Sequence, residues 1–280
     1  MLSSYPKSGN TWLRIFISNL IADKEEPLSI NDIKNDTIAS GREMFDEIAG
    51  IEASDLNHDE IDNIRPKVYR YIANNSEKTV FMKIHDAYTF LEDGSPLIPS
   101  EGIKAIYIIR NPLDVAVSYS FHCSCSIDNA ISDMRSKDCC FCGKTNKLMP
   151  QLRQKLLTWS EHVESWVDNT EIPVHVVRYE DMKNNPFETF KNAAIFAGLS
   201  YDDEKIRKAI EFSSFNRLNE EEKEKGFKER IAKDSLFFRE GNIGGWRNHL
   251  SEEQVNLIIK EHQKIMKRFG YLDNKGKIVY

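Results

Sequence analysis

Basic side chains follow three apolar segments of the sequence at the points where those segments end. Lys7 follows the first segment, and Arg110 follows the third. Lys83 and His85 lie together at the end of the second. Parallel sheets bind ligands beyond the carboxyl ends of their strands. If the three segments are such strands, their basic residues meet at one edge of a sheet and form a binding site for an anion.

The first of these turns, Lys7-Ser8-Gly9-Asn10-Thr11, precedes an amphipathic stretch at residues 11–22 that predicts a helix. Backbone N–H groups at the start of a helix lack partners within it, and the helix dipole is positive there. Gly9 lets the backbone approach an anion closely, and Lys7 adds a full charge. The turn is not a Walker A motif, because its lysine precedes the glycine. An ordinary polar strand–helix turn is the alternative.

Lys83 and His85 lie two residues apart in a strand, so their side chains leave the same face. Lys83 interrupts an otherwise apolar run, where burial without a partner would be costly. Histidine is a common general base near neutral pH. His85 is therefore a candidate catalytic residue; a structural histidine at a strand end is the alternative.

Three apolar runs that do not alternate with polar residues predict buried parallel strands: Thr79–Ile84, Lys104–Ile109 and Val174–Val177. Helix signals separate and follow them. Asn111 with Pro112, and Asn185 with Pro186, are each typical of a helix start. Gly198 can end a helix, and Ser251 with Gln254 forms a capping box. This order predicts a single α/β domain over residues 1–280, doubly wound, with a mostly parallel central sheet and helices on both faces.

Composition excludes several classes of protein. The 280 residues carry 38 basic and 44 acidic side chains, a net charge of −6, which disfavours a broad nucleic-acid surface. No apolar run reaches the ~18 residues that a membrane span needs. Residues 1–10 do not resemble a secretory signal, so we expect a cytoplasmic protein.

Two segments suggest additions to the domain. All five cysteines lie between Cys123 and Cys142, in a predicted insertion at about residues 121–149. Their spacing is not that of a zinc site, so we expect free thiols in a mobile insertion, with a zinc clip or a disulfide as alternatives. The charged residues 219–245 suggest a mobile lid, with a solvated helix as the alternative.

Six segments resemble motifs of the sulfotransferases that use 3′-phosphoadenosine 5′-phosphosulfate (PAPS), and the resemblance extends over residues 2–269. In chain order these are Tyr5–Trp12, Phe81–His85, Arg110–Ser118, Tyr179–Met182, Ser213–Phe215 and Arg239–Asn248. The first, third and last are the most specific. Two departures occur in the last segment, where the family usually has a lysine in place of Glu240 and an aspartate in place of Gly245.

The resemblance implies a role for each segment. The first segment would bind the 5′-phosphosulfate, and Lys83 and His85 would be the second lysine and the catalytic histidine. Arg110 and Ser118 would hold the 3′-phosphate. The remaining contacts implied for the nucleotide come from Lys7, Ser8, Gly9, Asn10, Thr11 and Trp12 in the first turn, from Tyr179, Ser214 and Phe215 around the adenine, and from Arg239, Glu240 and Gly241 near the 3′-phosphate. Core packing is an equal alternative for Trp12.

The resemblance also implies a P-loop-NTPase-like architecture and the reaction. We expect in-line transfer of the sulfuryl group from PAPS to a hydroxyl of a small-molecule or glycan acceptor, with a histidine base and no metal. A nucleotide-dependent kinase on a related fold and a non-catalytic nucleotide-binding protein are the alternatives. The acceptor and the oligomeric state are left open.

Overall fold

Strands and helices alternate along the computed structural model, which describes residues 1–33, 37–144, 146–169, 171–231 and 235–280. The strands are β1 (Leu2–Ser4), β2 (Lys83–Ile84), β3 (Ala105–Ile109), β4 (Cys140–Phe141), β5 (Gln154–Lys155) and β6 (Val174–Arg178). The helices are α1 (Asn10–Ala22), α2 (Arg42–Ala49), α3 (His58–Asn75), α4 (Pro112–Cys123), α5 (Ile127–Met134), α6 (Trp159–Val167), α7 (Tyr179–Asn184), α8 (Pro186–Ala197), α9 (Asp203–Phe212), α10 (Phe215–Lys225) and α11 (Glu252–Arg268). Short 3-10 turns lie at Ala53–Asp55 and Gly245–Asn248.

Within the described ranges, the central sheet has four parallel strands in the order β2-β1-β3-β6. Leu2 in β1 lies opposite both Lys83 in β2 and Ile106 in β3. The strands that lead to His85 and Arg110 therefore flank the strand that leads to Lys7. The predicted strand at residues 79–84 is shorter than expected, because β1 pairs only with Lys83 and Ile84.

Helices cover both faces of this sheet, as the fold class requires. On one face, Tyr107 and Ile109 of β3 belong to a core that includes Trp159 and Trp166 of α6. On the other face, Ile106 and Ile108 pack in a core to which α1, α8 and α9 contribute Phe16, Phe190 and Ala209. Neighbouring residues of β3 thus point to opposite cores, and the uninterrupted apolar run reflects burial on both sides.

Most of the predicted helix ends are confirmed. The Asn111 side chain accepts a hydrogen bond from the Leu113 N–H at the start of α4. Ser251 and Gln254 form a capping box, and Gly198 ends α8 with φ +82°. The predicted helix start at Asn185 and Pro186 is also confirmed, because α8 begins at Pro186, although the Asn185 side chain makes no capping bond. Its backbone N–H donates to the Asp181 carbonyl and closes α7, so the same residue ends α7 and precedes α8.

The cysteine-bearing segment is partly helical. Ala130, Ile131 and Met134 of α5 are buried, and β4 pairs antiparallel with β5. No disulfide joins the five cysteines, all of which lie in described ranges, and Cys123 and Cys140 are exposed. Over the described ranges, no helix combines the length and the apolar character needed to span a membrane.

Candidate active site

A cavity of about 420 Å³ opens at the carboxyl ends of β1, β2 and β3. Lys7, Lys83, His85 and Arg110 all line it, as predicted from their positions after the strands. Of the other predicted residues, the cavity is lined by Gly9, Asn10, Thr11, Trp12, Ser118, Tyr179, Phe215, Arg239, Glu240 and Gly241. The sheet order explains this grouping, because three neighbouring strands deliver their following residues to one edge.

The turn before α1 presents unbonded backbone to this cavity. No side chain caps the helix, and Gly9 has φ +106°. A Cβ atom at Gly9 would lie 2.7 Å from Cδ2 of Tyr179, so only glycine fits there. Ser8, also predicted to bind the nucleotide, lies between two residues that line the cavity but does not line it itself. Its hydroxyl is buried without a hydrogen-bond partner among the described residues. Free N–H groups and a free hydroxyl are suited to bind an anion.

The Lys7 ammonium is buried and lies near other cationic side chains. Its Nζ atom lies 3.6 Å from the centroid of the Phe237 ring. Burial, followed by the charges of Lys83 and Arg110, lowers the pKa of Lys7 to about 7. Three cations kept together in this way repel one another, and a bound anion would relieve that repulsion.

Lys83 contacts a carboxylate that the sequence did not lead us to expect. Its Nζ atom lies 3.1 Å from Oε2 of Glu229, whose Oε1 is 2.7 Å from Nη1 of Arg14. Burial raises the pKa of Glu229, but Lys83 and Arg14 outweigh it and lower the value to about 2. Glu229 is therefore ionised at neutral pH.

His85 has the geometry of a neutral base. Its Nδ1 atom lies 2.8 Å from the carbonyl oxygen of Ser4. A carbonyl only accepts hydrogen bonds, so Nδ1 carries the proton and Nε2 keeps its lone pair. Burial, and next the charge of Lys83, hold the pKa of His85 well below its ordinary value. The ring is consequently neutral at pH 7 and able to accept a proton.

Arg110 links the first turn to the glycine-rich segment. Its guanidinium donates from Nη1 to the Lys7 carbonyl at 3.1 Å and from Nη2 to the Asn242 carbonyl at 3.2 Å. It lies 4.3 Å from the centroid of the Tyr179 ring. Its Nε is buried without a partner in the described part of the chain. The two bonds use two of the five N–H groups of the guanidinium, so others remain to bind a ligand. Ser118, further along α4, lines the same cavity.

Glu240 does not point away from the cavity. Its carboxylate pairs with the Arg239 guanidinium and lies 3.6 Å from Nε2 of His249. Arg239 in turn lies 3.9 Å from the centroid of the Phe121 ring. The carboxylate that replaces the family's lysine therefore neutralises a neighbouring cation, which lowers the positive charge at this end of the cavity.

Aromatic rings form the far wall. Trp12 packs edge-on against Tyr179 and Phe190, at centroid distances of 5.8 and 5.5 Å, and its Nε1 donates to the Ser213 carbonyl. Trp12 is thus both a core residue and a lining residue. Phe215 lies so close to Gly241 that a Cβ there would be 2.4 Å from the ring. Ser214 lies just before α10 and does not line the cavity, so its implied contact has no support.

Several lining residues were not singled out from the sequence: Arg14, His122, Phe141, Gln151, Glu229, Phe237 and Phe238. Of these, Arg14 could have been found most readily from the sequence. It lies three residues after Thr11 on α1, and residues with that spacing share one face of a helix. Asp114 is an acidic residue in the first turn of α4. Its carboxylate also accepts the N–H groups of Gly244 and Trp246 at 2.9 and 3.0 Å and so anchors the glycine-rich segment.

The predicted lid is only partly described. Its residues 232–234 lie outside the described ranges. Before them, Lys228, Glu229 and Ile231 line the cavity, and after them Phe237 and Phe238 do so. The described part of residues 219–245 therefore contributes directly to the wall of the site, and its mobility stays a prediction.

The family model described as sulfotransferase domain matches residues 1–270. Cytosolic sulfotransferase 1 of Arabidopsis thaliana is 27% identical over 285 residues, spanning 94% of this chain and 78% of that protein. Sulfotransferase 2A1 of Rattus norvegicus is 28% identical over 276 residues, spanning 96% and 84%. Flavonol 4′-sulfotransferase of Flaveria chlorifolia is 27% identical over 273 residues, spanning 92% and 76%.

Solved structures show the same fold at lower identity. Retinol dehydratase in complex with androsterone and the inactive cofactor PAP is similar with a TM-score of 0.60 and 19% identity, covering 95% of this chain and 80% of that chain. A mouse sulfotransferase complexed with PAP is similar with a TM-score of 0.55 and 19% identity, covering 96% and 87%. These likenesses confirm the predicted fold class.

Proposed function

The chain belongs to the sulfotransferase domain family, and from that membership we propose that it transfers the sulfuryl group of PAPS to a hydroxyl group. The acceptor is a small molecule or a glycan. Small molecules gain support from the relatives, whose names and complexes include a flavonol and androsterone. We also propose a cytoplasmic location, since relatives are named cytosolic sulfotransferases.

The observation that carries this proposal is the set of unsatisfied groups around one cationic cavity. The Ser8 hydroxyl and the Arg110 Nε are buried without partners among the described residues, and α1 starts without a side-chain cap. Burial lowers the pKa of Lys7, and the nearby charges of Lys83 and Arg110 lower it further. These features fit a ligand with two separated anionic groups, as PAPS has. The first turn and Lys7 would hold one group, and Arg110 would hold the other.

His85 is the proposed base. When bound, PAPS supplies a sulfuryl group whose sulfur bonds to the acceptor oxygen as its bond to the 5′-phosphate oxygen breaks. The acceptor proton passes to Nε2 of His85, while the Nδ1 proton stays hydrogen-bonded to Ser4. Lys7, at the start of α1, would stabilise the negative charge that develops on the phosphate oxygen. Lys83 lies on the adjacent strand and would assist it.

The decisive experiment is turnover of labelled PAPS against a panel of hydroxyl-bearing acceptors. A sulfated product that forms in the presence of a chelator supports the proposal. A product that requires magnesium and ATP would support the kinase alternative instead. Thermal unfolding with adenosine 3′,5′-bisphosphate (PAP) gives a second readout, because a ligand of the folded state raises the melting temperature. PAP binding without turnover of any acceptor would indicate the non-catalytic alternative.

Replacing Arg110 with alanine should weaken nucleotide binding in a way that depends on the 3′-phosphate. The change removes a charge-assisted hydrogen bond, so PAP should bind more weakly by about 1.5–3 kcal/mol. A nucleotide without a 3′-phosphate should lose less. Calorimetric titration of PAP and adenosine 5′-monophosphate measures both losses. Arg70→Ala is the control, because the Arg70 side chain on α3 is 40% exposed and away from the cavity. Equal losses for the two nucleotides would place the 3′-phosphate elsewhere.

PAP affinity should fall as the pH rises above 7. The pKa of Lys7 is about 7 in the free protein, and a bound anion raises it. Binding therefore takes up a proton above pH 7, and affinity drops by at most about tenfold per pH unit. Calorimetric titrations with PAP between about pH 7 and 9, in two buffers of different ionisation enthalpy, measure the number of protons taken up on binding. Lys7→Arg stays charged throughout and should show a flatter profile; an unchanged slope would contradict the assignment.

A further inference from the structure

Glu229 is a carboxylate placed inside the cationic part of the cavity. It lies in the segment that follows α10, and its side chain is 18% exposed. One carboxylate oxygen contacts Lys83 at 3.1 Å, and the other contacts Arg14 at 2.7 Å. Both of those cations also line the cavity. The carboxylate therefore lies where Lys83 would meet the transferring end of a donor.

A carboxylate resembles the sulfuryl end of PAPS in the properties that Lys83 recognises. Each presents oxygen acceptors that share one negative charge, and each forms charge-assisted hydrogen bonds with an ammonium. Close pairs of opposite charge in a poorly hydrated place are strongly favoured over separated ones. An anion that arrives at Lys83 must therefore compete with Glu229 for the same ammonium.

We propose that Glu229 is an internal anion that must release Lys83 when a sulfated donor binds, and that it thereby sets the affinity for PAPS relative to PAP. The inference rests on the proposed function. At its 5′ end PAP carries only a phosphate, which the first turn and Lys7 can hold. PAPS carries an additional sulfuryl group that extends toward Lys83. Competition from Glu229 consequently weakens PAPS binding more than PAP binding.

The test is the ratio of PAPS affinity to PAP affinity in the absence of acceptor. Glu229→Gln keeps the size of the side chain and removes its charge. The ratio should rise by about tenfold or more, whereas PAP affinity should change by less than about threefold. Glu224→Gln is the matched control, because Glu224 is an exposed glutamate near the end of α10. It should leave the ratio unchanged.

The outcomes separate the inference from the function on which it rests. Wild-type protein that binds neither PAP nor PAPS would refute the proposed function. Wild-type binding with an unchanged or lower ratio in Glu229→Gln would refute the inference alone, since a purely structural ion pair predicts weaker binding of both nucleotides. If Glu229→Gln does not fold, Glu229→Asp gives the same test, because the shorter side chain draws the carboxylate back from Lys83. It should raise the ratio by a smaller factor, and no rise would again refute the inference.

Discussion

His85→Ala is expected to lower kcat by about 10²–10⁴-fold, the usual contribution of a general base, while PAP affinity stays nearly unchanged. A hydroxyl is a weak nucleophile at neutral pH and depends on a base within hydrogen-bond reach. The neutral ring of His85 offers its Nε2 lone pair, with Nδ1 fixed by Ser4. No other proposed role connects His85 to the nucleotide.

Steady-state turnover and calorimetric titration of PAP measure the two expectations on the same protein. His175→Ala is a suitable control, since His175 on β6 stacks on Phe196 and does not line the cavity. If His85→Ala keeps near-normal turnover on a verified acceptor, His85 is not the base, and another group on the cavity wall must take the proton.

Lys7→Ala should impair binding and chemistry together. The ammonium lies close to the start of α1, where it would contact the 5′-phosphate in the ground state and the developing charge in the transition state. Loss of this charged contact should weaken PAP binding by about 1.5–3 kcal/mol. The effect on kcat should add to this, so kcat/KM should fall further than affinity.

Lys7 has a φ of +68°. Lysine and alanine both carry a Cβ atom, so the substitution does not change the backbone strain at this position. Lys67→Ala is the matched control, because Lys67 is an exposed lysine on α3. Titration of PAP and turnover of PAPS measure the two effects. A variant with normal affinity and a lowered kcat would restrict Lys7 to the transition state, and normal values of both would remove it from the site.

Local signals explain why much of this site could be predicted from the sequence. Apolar runs locate the strands, and capping residues such as Asn111 and Ser251 locate helix starts. Parallel strands bring the residues after their carboxyl ends to one edge of the sheet, so the positions of Lys7, His85 and Arg110 can be inferred from chain order alone.

The contacts that could not be predicted join residues that are far apart in the chain. Asp114 binds the N–H of Gly244 across 130 residues, and Glu229 binds Lys83 across 146 residues. Acidic residues at helix starts and in charged runs are usually solvent-exposed. The sequence around these two acids therefore does not indicate that they have partners far away in the chain. The helix start at Asn185 could be predicted, but the absence of its side-chain capping bond could not, because its backbone N–H closes the preceding helix.

The placement of β1 between β2 and β3 also bears on how the protein folds. Ser4 meets His85 across 81 residues, and Lys7 meets Arg110 across 103 residues. Folding slows as contacts join residues further apart, because each such loop must close before its contacts stabilise it. Helices form within about a microsecond, long before a sheet of this connectivity. In refolding, the helical circular dichroism signal should therefore recover first, and the ability to bind PAP should return only with the final assembly of the sheet.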